Sequence, residues 1–152
     1  MLKKLIASSL LASSLIITGC QTTPPPADTI EMANIQQLQQ RTWILTQIGN
    51  TEIKTAPNER NIPSLQFSAD NRISGADGCN RIMGSYTVGR DTLTLSQLAT
   101  TRMACINSSA VPQQFQEALA KVTHYQVFGK TLKLLDRHGN LLLQFGSAIQ
   151  PR

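Results

Sequence analysis

The chain has few of the groups that usually carry chemistry. Its 152 residues include two histidines, three cysteines and nine carboxylates. His124 and His138 share no H-x-x-H spacing and the cysteines form no C-x-x-C, so the spacings that hold a metal are absent. No G-x-S-x-G elbow presents a serine nucleophile. The carboxylates are dispersed, which gives no support to a glycosidase-type pair. The arginines stand singly, without interleaved aromatics, and so lack the pattern of a nucleic-acid-binding face. No apolar run approaches the roughly 20 residues a membrane-crossing helix needs, and no internal repeat is evident. These absences point away from an enzyme, a metalloprotein and a nucleic-acid binder.

What is present begins at the N-terminus. Met1-Leu2-Lys3-Lys4 is a short basic segment, and Leu5 to Ile17 is apolar except for four serines. That layout is an export signal rather than a membrane anchor. It closes on Ile17-Thr18-Gly19-Cys20, a branched apolar residue, two small residues and a cysteine, the pattern of a bacterial lipoprotein signal. Small residues suit the peptidase pocket, and only a thiol can carry thioether-linked diacylglycerol. Cleavage before Cys20 frees its amino group for a further acyl chain such as palmitate, and two or three chains hold a membrane far better than one. Cys20 is therefore the expected lipidation site and membrane lipid the expected partner through it. Gln21 stands where an Asp would favour inner-membrane retention, so the expected address is the periplasmic face of the outer membrane. Thr22 to Asp28 is polar and Pro-rich and reads as an extended tether.

Removing residues 1–19 leaves 12 basic and 9 acidic residues, a mature net charge of +3. With Cys20 acylated, Cys79 and Cys105 remain, and an oxidising compartment favours pairing them. Two free buried thiols are the alternative.

Residues 29–41 have the composition of a short helix. Trp43 to Ile48 reads as a strand stopped by Gly49-Asn50, and 51–63, with Pro57 and Pro63, as a loop. Ser64 to Ser68 alternates with period 2, and Ala69-Asp70-Asn71 turns the chain into Arg72 to Gly75. Ser85 to Val88 and Thr92 to Leu95 flank Gly89-Arg90-Asp91 as a hairpin. One clear helix follows, with Ser108-Ser109 as cap and Pro112 in its first turn. Its apolar face is Val111, Phe115, Ala118, Leu119 and Val122. A meander closes the chain over Tyr125 to Phe128, Thr131 to Leu135 and Leu141 to Phe145. Seven or eight antiparallel strands and one helix predict a small barrel or strongly rolled sheet with the helix packed on it.

Between Gly75 and Cys105 lie Gly78-Cys79-Asn80-Arg81, Gly84-Ser85-Tyr86 and Thr101-Arg102-Met103-Ala104-Cys105. These resemble the META domain of the HslJ family, small exported proteins linked to heat shock and novobiocin resistance. The likeness extends to the tryptophan strand, the amphipathic helix and the final meander. It implies a mainly β fold with one helix (α+β), a lipocalin-like cracked β-barrel carrying an amphipathic helix. The chain then divides into a signal peptide (1–19), a lipidated tether (20–41), a META/HslJ-like domain (42–146) and a C-terminal tail (147–152). The family resembles secretin-pilot lipoproteins more than any enzyme. The implied function is a non-enzymatic, lipid-anchored protein supporting cell-envelope integrity or stress resistance through an envelope protein partner or acyl ligand. A secretin-pilot-like or lysozyme-inhibitor-like binding module of the outer membrane is the alternative.

The motif itself reads as architecture. Gly75, Gly78 and Gly84 allow tight turns or close backbone approach, and Asn80 can bond its own loop. Asn80, Arg81 and Arg102 are the candidate binding residues, the two arginines as an anion-binding pair. The Gly-Cys-x-Arg element is faintly similar to the cysteine of L,D-transpeptidases. That chemistry needs a base to supply thiolate, and Asp77 stands where those enzymes place a histidine.

Overall fold

The computed structural model describes residues 24, 26–55, 62–105 and 109–147. Cys20, the export signal, the first part of the tether, Ser108 and the tail beyond Ser147 lie outside the described residues.

The order of elements is α1 (Ala27–Gln39), β1 (Thr42–Ile48), β2 (Thr51–Glu52), β3 (Ser64–Phe67), β4 (Arg72–Ala76), β5 (Arg81–Val88), β6 (Leu93–Thr100), α2 (Val111–Leu119), β7 (His124–Phe128), β8 (Thr131–Leu135) and β9 (Leu141–Ser147). Eight strands run β6-β5-β4-β3-β1-β9-β8-β7 across one antiparallel sheet, and β2 pairs with β1. This is the mainly β, curled architecture expected of a cracked barrel with a packed helix. Two meanders, β3–β6 and β7–β9, are joined through β1, which pairs with β3 on one side and β9 on the other.

Period-2 patterning explains which face closes. In β3, Leu65 and Phe67 are buried while Gln66 is exposed. In β5, Ile82 and Tyr86 are buried while Arg81 and Met83 are exposed. Register breaks in the β1–β9 and β5–β6 pairs bend the sheet, as bulges do. The curl brings the two ends of the strand order together at one corner. There Thr92 bridges to His124, the Leu93 N–H donates to the Thr123 carbonyl at 3.0 Å, and the Tyr125 N–H donates to the Asp91 carbonyl at 2.9 Å. Beyond that corner the residues of β6 from Ser96 onward are exposed. The barrel is therefore closed at one end of its seam and split at the other.

The interior is filled by side chains. Trp43, Leu65, Phe67, Leu93, Phe115, Leu132, Leu134, Leu143 and Phe145 are completely buried. Phe67 meets Tyr86 edge-on at 5.1 Å between ring centres, and Phe115 meets Phe145 at 6.0 Å. Each such side chain removed from water contributes about 1.5–3 kcal/mol. Helix α2 supplies Phe115, Ala118 and Leu119 and packs on β1 and β9. Its buried face is Phe115, Ala118 and Leu119 as expected, while Val122, also buried, falls beyond the end of the helix; Pro112 lies in its first turn, but the cap is Ala110, with no side-chain bond. Ser109 stands one residue before the cap position.

The first helix is shifted two residues towards the N-terminus from the expected 29–41 and is more integral than its composition suggests. It begins at Ala27, inside the segment read as tether, and the fold contains two helices rather than one. Its weak amphipathic pattern hides one decisive residue, Leu38, which is fully buried. The Trp43 indole N–H donates to the Leu38 carbonyl at 2.9 Å, and the Gln39 amide donates to the Tyr86 hydroxyl at 2.8 Å. Arg41 lies 5.9 Å from the Trp43 ring centre and donates to the Gly129 carbonyl in the β7–β8 turn. Helix α1 is thus latched to β1, β5 and the second meander.

Both tyrosines of the chain report on this interior. Burial pushes the Tyr125 phenol up to about 12, with Glu31, Asp91 and Tyr86 adding to the rise. Burial also raises Tyr86, against the lowering effect of the Gln39 bond. A phenol whose folded value is raised contributes stability that is fully present below its unfolded value near 10 and is lost as pH rises towards the folded value. Stability should therefore fall between about pH 10 and pH 12. Phenolate absorbance should stay flat through pH 10 and then rise together with the fluorescence shift of Trp43, the only tryptophan. Half the absorbance titrating near pH 10 with Trp43 still buried would contradict the packing described.

Candidate functional site

The motif between β4 and β6 is organised by one carboxylate. Ala76, the last residue of β4, is paired with Arg81, the first of β5, so four residues make the connection. The Asp77 N–H donates to the Asn80 carbonyl at 3.0 Å. Asp77 Oδ1 accepts the N–H groups of Cys79 at 2.9 Å and Asn80 at 2.6 Å, the bonding an aspartate makes when it mimics a backbone turn. Gly78 sits between them at φ +100°, where a side chain would be strained. Asp77 Oδ2 accepts from the Asn80 side-chain amide at 3.3 Å and from the Gln116 amide of α2.

Asp77 has no exposed surface and is the one buried charged or polar side chain of the described core. An unpaired buried carboxylate is costly. Here four N–H donors converge on its two oxygens, bonds of the stronger, charge-assisted kind. The result ties the loop to a helix 39 residues further along the chain.

The same loop captures the segment after β6. Arg81 and Thr101 exchange bonds, from the Arg81 N–H to Thr101 Oγ1 at 2.9 Å and from the Thr101 N–H to the Arg81 carbonyl at 3.1 Å. The Met103 N–H donates to Asn80 Oδ1 at 2.8 Å. A disulfide joins Cys79 to Cys105, with Cα atoms 5.9 Å apart. Alternate residues 101, 103 and 105 are therefore fastened to the loop. Closing about 27 residues by a crosslink contributes on the order of 3–4 kcal/mol in the chain-entropy model.

The sequence-derived candidates separate accordingly. Cys79 and Asn80 are internal to the loop. Arg81 and Arg102 are exposed, and neither makes an ion pair among the described residues, where Arg72–Asp70 is the pair present. His124 faces Thr123 Oγ1 at 2.9 Å, and His138 accepts from Arg137 Nε at 3.0 Å in an exposed turn. No group of three potential metal-binding side chains occurs among the described residues. Surface clefts occur among the described residues. One of about 260 Å³ lies between α2 and the ends of β1 and β9, against Ile48, Glu117, Lys121 and Leu142. Another, about 220 Å³, lies at the closed corner of the seam, against Asp91, His124, Tyr125 and Arg137.

Two features escape a reading of the residues. Asp77 is the hub of the loop, and the Asp-Gly-Cys-Asn order does carry a turn signal that could have marked it. Gln116, its partner, has no such signal. The second feature is the length of β6. It runs to Thr100, five residues past the expected hairpin, through a break at which Gln97 and Leu98 oppose Gly84 alone and Gln97 takes φ +53°. Glutamine seldom adopts that conformation, so nothing local announces it.

The family model described as META domain matches residues 36–149. An NMR structure of a protein from Burkholderia xenovorans is similar at 23% identity and a TM-score of 0.59, over 90% of this chain and 99% of that one. A crystal structure of a DUF4847 family protein from Bacteroides vulgatus is similar at 21% identity and a TM-score of 0.54, over 75% of this chain and 96% of that one. At those identities the two structures speak to the fold. No curated protein matches the chain.

Replacing Asp77 separates architecture from surface. Asp77→Ala should lower unfolding stability by about 3 kcal/mol, since it strands buried donors. Asp77→Asn should cost less, because its carbonyl oxygen can still accept the two backbone N–H groups. Arg81→Ala and Arg102→Ala should stay within about 0.5 kcal/mol of the parent. Denaturant unfolding followed by Trp43 fluorescence measures all four.

Proposed function

The chain belongs to the META-domain family, and from that premise we propose that it is a lipid-anchored, non-enzymatic binding protein of the cell envelope. It is held by acylated Cys20 at the periplasmic face of the outer membrane, and it supports envelope integrity under stress through contacts with another envelope protein. One observation carries the binding role. The groups that could have served chemistry in the motif are consumed by architecture: Cys79 by the disulfide, Asp77 by four donors and Asn80 by Met103. The motif's arginines and methionines, by contrast, are turned to solvent.

The filled interior favours contacts at the surface over an acyl chain held inside the barrel, because the inward positions are occupied by Trp43, Phe67, Phe115 and Phe145. The anchor rests on the signal pattern around Cys20. No helix among the described residues is long and apolar enough to cross a membrane, so the proposed attachment is covalent lipid.

Metabolic labelling with an alkyne-bearing palmitate, followed by membrane fractionation, tests the anchor. The parent chain should be labelled and sediment with outer membrane, and Cys20→Ser should be unlabelled and released. Equal labelling of the two, or an unlabelled parent, would overturn the reading. The envelope role has its own readout. Cells lacking the protein should be more sensitive to novobiocin, the parent gene should restore resistance, and Cys20→Ser should restore little of it.

A further inference from the structure

The split side of the barrel leaves β6 as a sheet edge. Natural edges are usually blunted by charged residues or proline. From Leu93 to Thr101 this one carries neither, and every residue from Ser96 to Cys105 is exposed. Backbone alternation identifies the free groups. The Thr101 N–H points at β5, where it meets the Arg81 carbonyl, so the N–H and carbonyl of Thr100 point away from the sheet.

Side chains flank that edge on both faces. Of the five large apolar residues exposed in the described structure, Met83, Leu98 and Met103 all lie here, at 56%, 38% and 58% exposure. Met83 is paired with Ala99 and points outward, since its neighbour Ile82 is buried. The break at Gln97 limits a continuous ladder to the stretch from Leu98 to Arg102. At the far end of that stretch stand Arg81 and Arg102, both exposed and both without an ion pair among the described residues. The disulfide and the Asn80–Met103 bond fasten the chain just beyond this stretch, and among the described strands none but β5 pairs with it.

We propose that the Leu98–Arg102 edge takes a short extended segment of a partner protein by strand addition. The segment is uncharged where it pairs and carries a carboxylate where it reaches Arg81 and Arg102. Main-chain bonds to Thr100 supply affinity, while Met83, Leu98 and the two arginines select the segment. The proposal rests on the reading that the protein works through protein contacts. It does not depend on the anchor, because the surface is complete in the unlipidated chain.

The test uses the full chain carrying Cys20→Ser, with synthetic peptides that alternate threonine and valine and end in two glutamates, end in two lysines, or carry a central proline. Amide shifts on titration should be confined to residues 96–103. The glutamate peptide should bind about tenfold tighter than the lysine peptide, the size of one modest charge coupling, and the proline peptide should not bind. Arg81→Glu with Arg102→Glu should reverse the charge preference. Thr100→Pro should abolish binding while Trp43 remains buried by fluorescence. Equal affinity for the three peptides, shifts centred elsewhere, or an edge occupied by a second copy of the chain that the peptide does not displace would each overturn the proposal. Loss of palmitate labelling in cells, by contrast, would remove the anchor and leave these binding results untouched.

Discussion

Everything distinctive about the molecule depends on the buried carboxylate of Asp77. A charge placed inside a protein is tolerated only when its oxygens are satisfied. Here that requirement dictates the surrounding structure. The N–H groups of Cys79 and Asn80 must turn inward to reach Oδ1, and Gly78 must then adopt a left-handed backbone. Gln116 must face the loop, which fixes α2 against the sheet end. Asn80, oriented by the same carboxylate, is left with one oxygen free, and Met103 uses it. The disulfide adds a covalent tie to a geometry these bonds already define.

Around this hub the barrel is held by a single strand. β1 is the ladder between the two meanders, and it carries Trp43, whose indole N–H closes α1 onto it. At the seam the strand order meets itself only near Thr92 and His124. The crack follows from the register at the seam, because Thr92 bridges to His124, the first residue of β7, and β6 beyond Leu93 has no residue of β7 left to face. After Gln97 the strand stays paired with β5, and alternate residues 101, 103 and 105 are then fastened to the loop. Closing one end while splitting the other leaves an extended edge that is uncharged as far as Thr101 and ends on Arg102, and the same bonds that stiffen the loop fasten the end of that edge.

Much of this was legible in the residues, and the parts that were not have physical causes. Period-2 alternation in Ser64–Phe67 and the spacing of Phe115, Ala118 and Leu119 located core positions because burial acts directly on side chains. The paired motifs at residues 78–81 and 101–105 indicated the META fold. The first helix was underestimated because its docking rests on one leucine, on a backbone carbonyl and on Arg41 rather than on an apolar stripe. The Asp77–Gln116 contact spans elements whose approach is decided only by the finished sheet. The extension of β6 needed a glutamine in a left-handed conformation, which tertiary pairing imposes and propensity opposes.

For function, these constraints separate a rigid interior motif from the surface it displays. The central claim is that the Asp77 network is part of the cooperative fold, and amide hydrogen exchange in the native protein tests it most directly. The N–H groups of Cys79 and Asn80 should exchange in the slowest class, with those of β1, through global opening. Exchange of those two amides as fast as that of the exposed Arg137 turn would show that the carboxylate does not hold the loop.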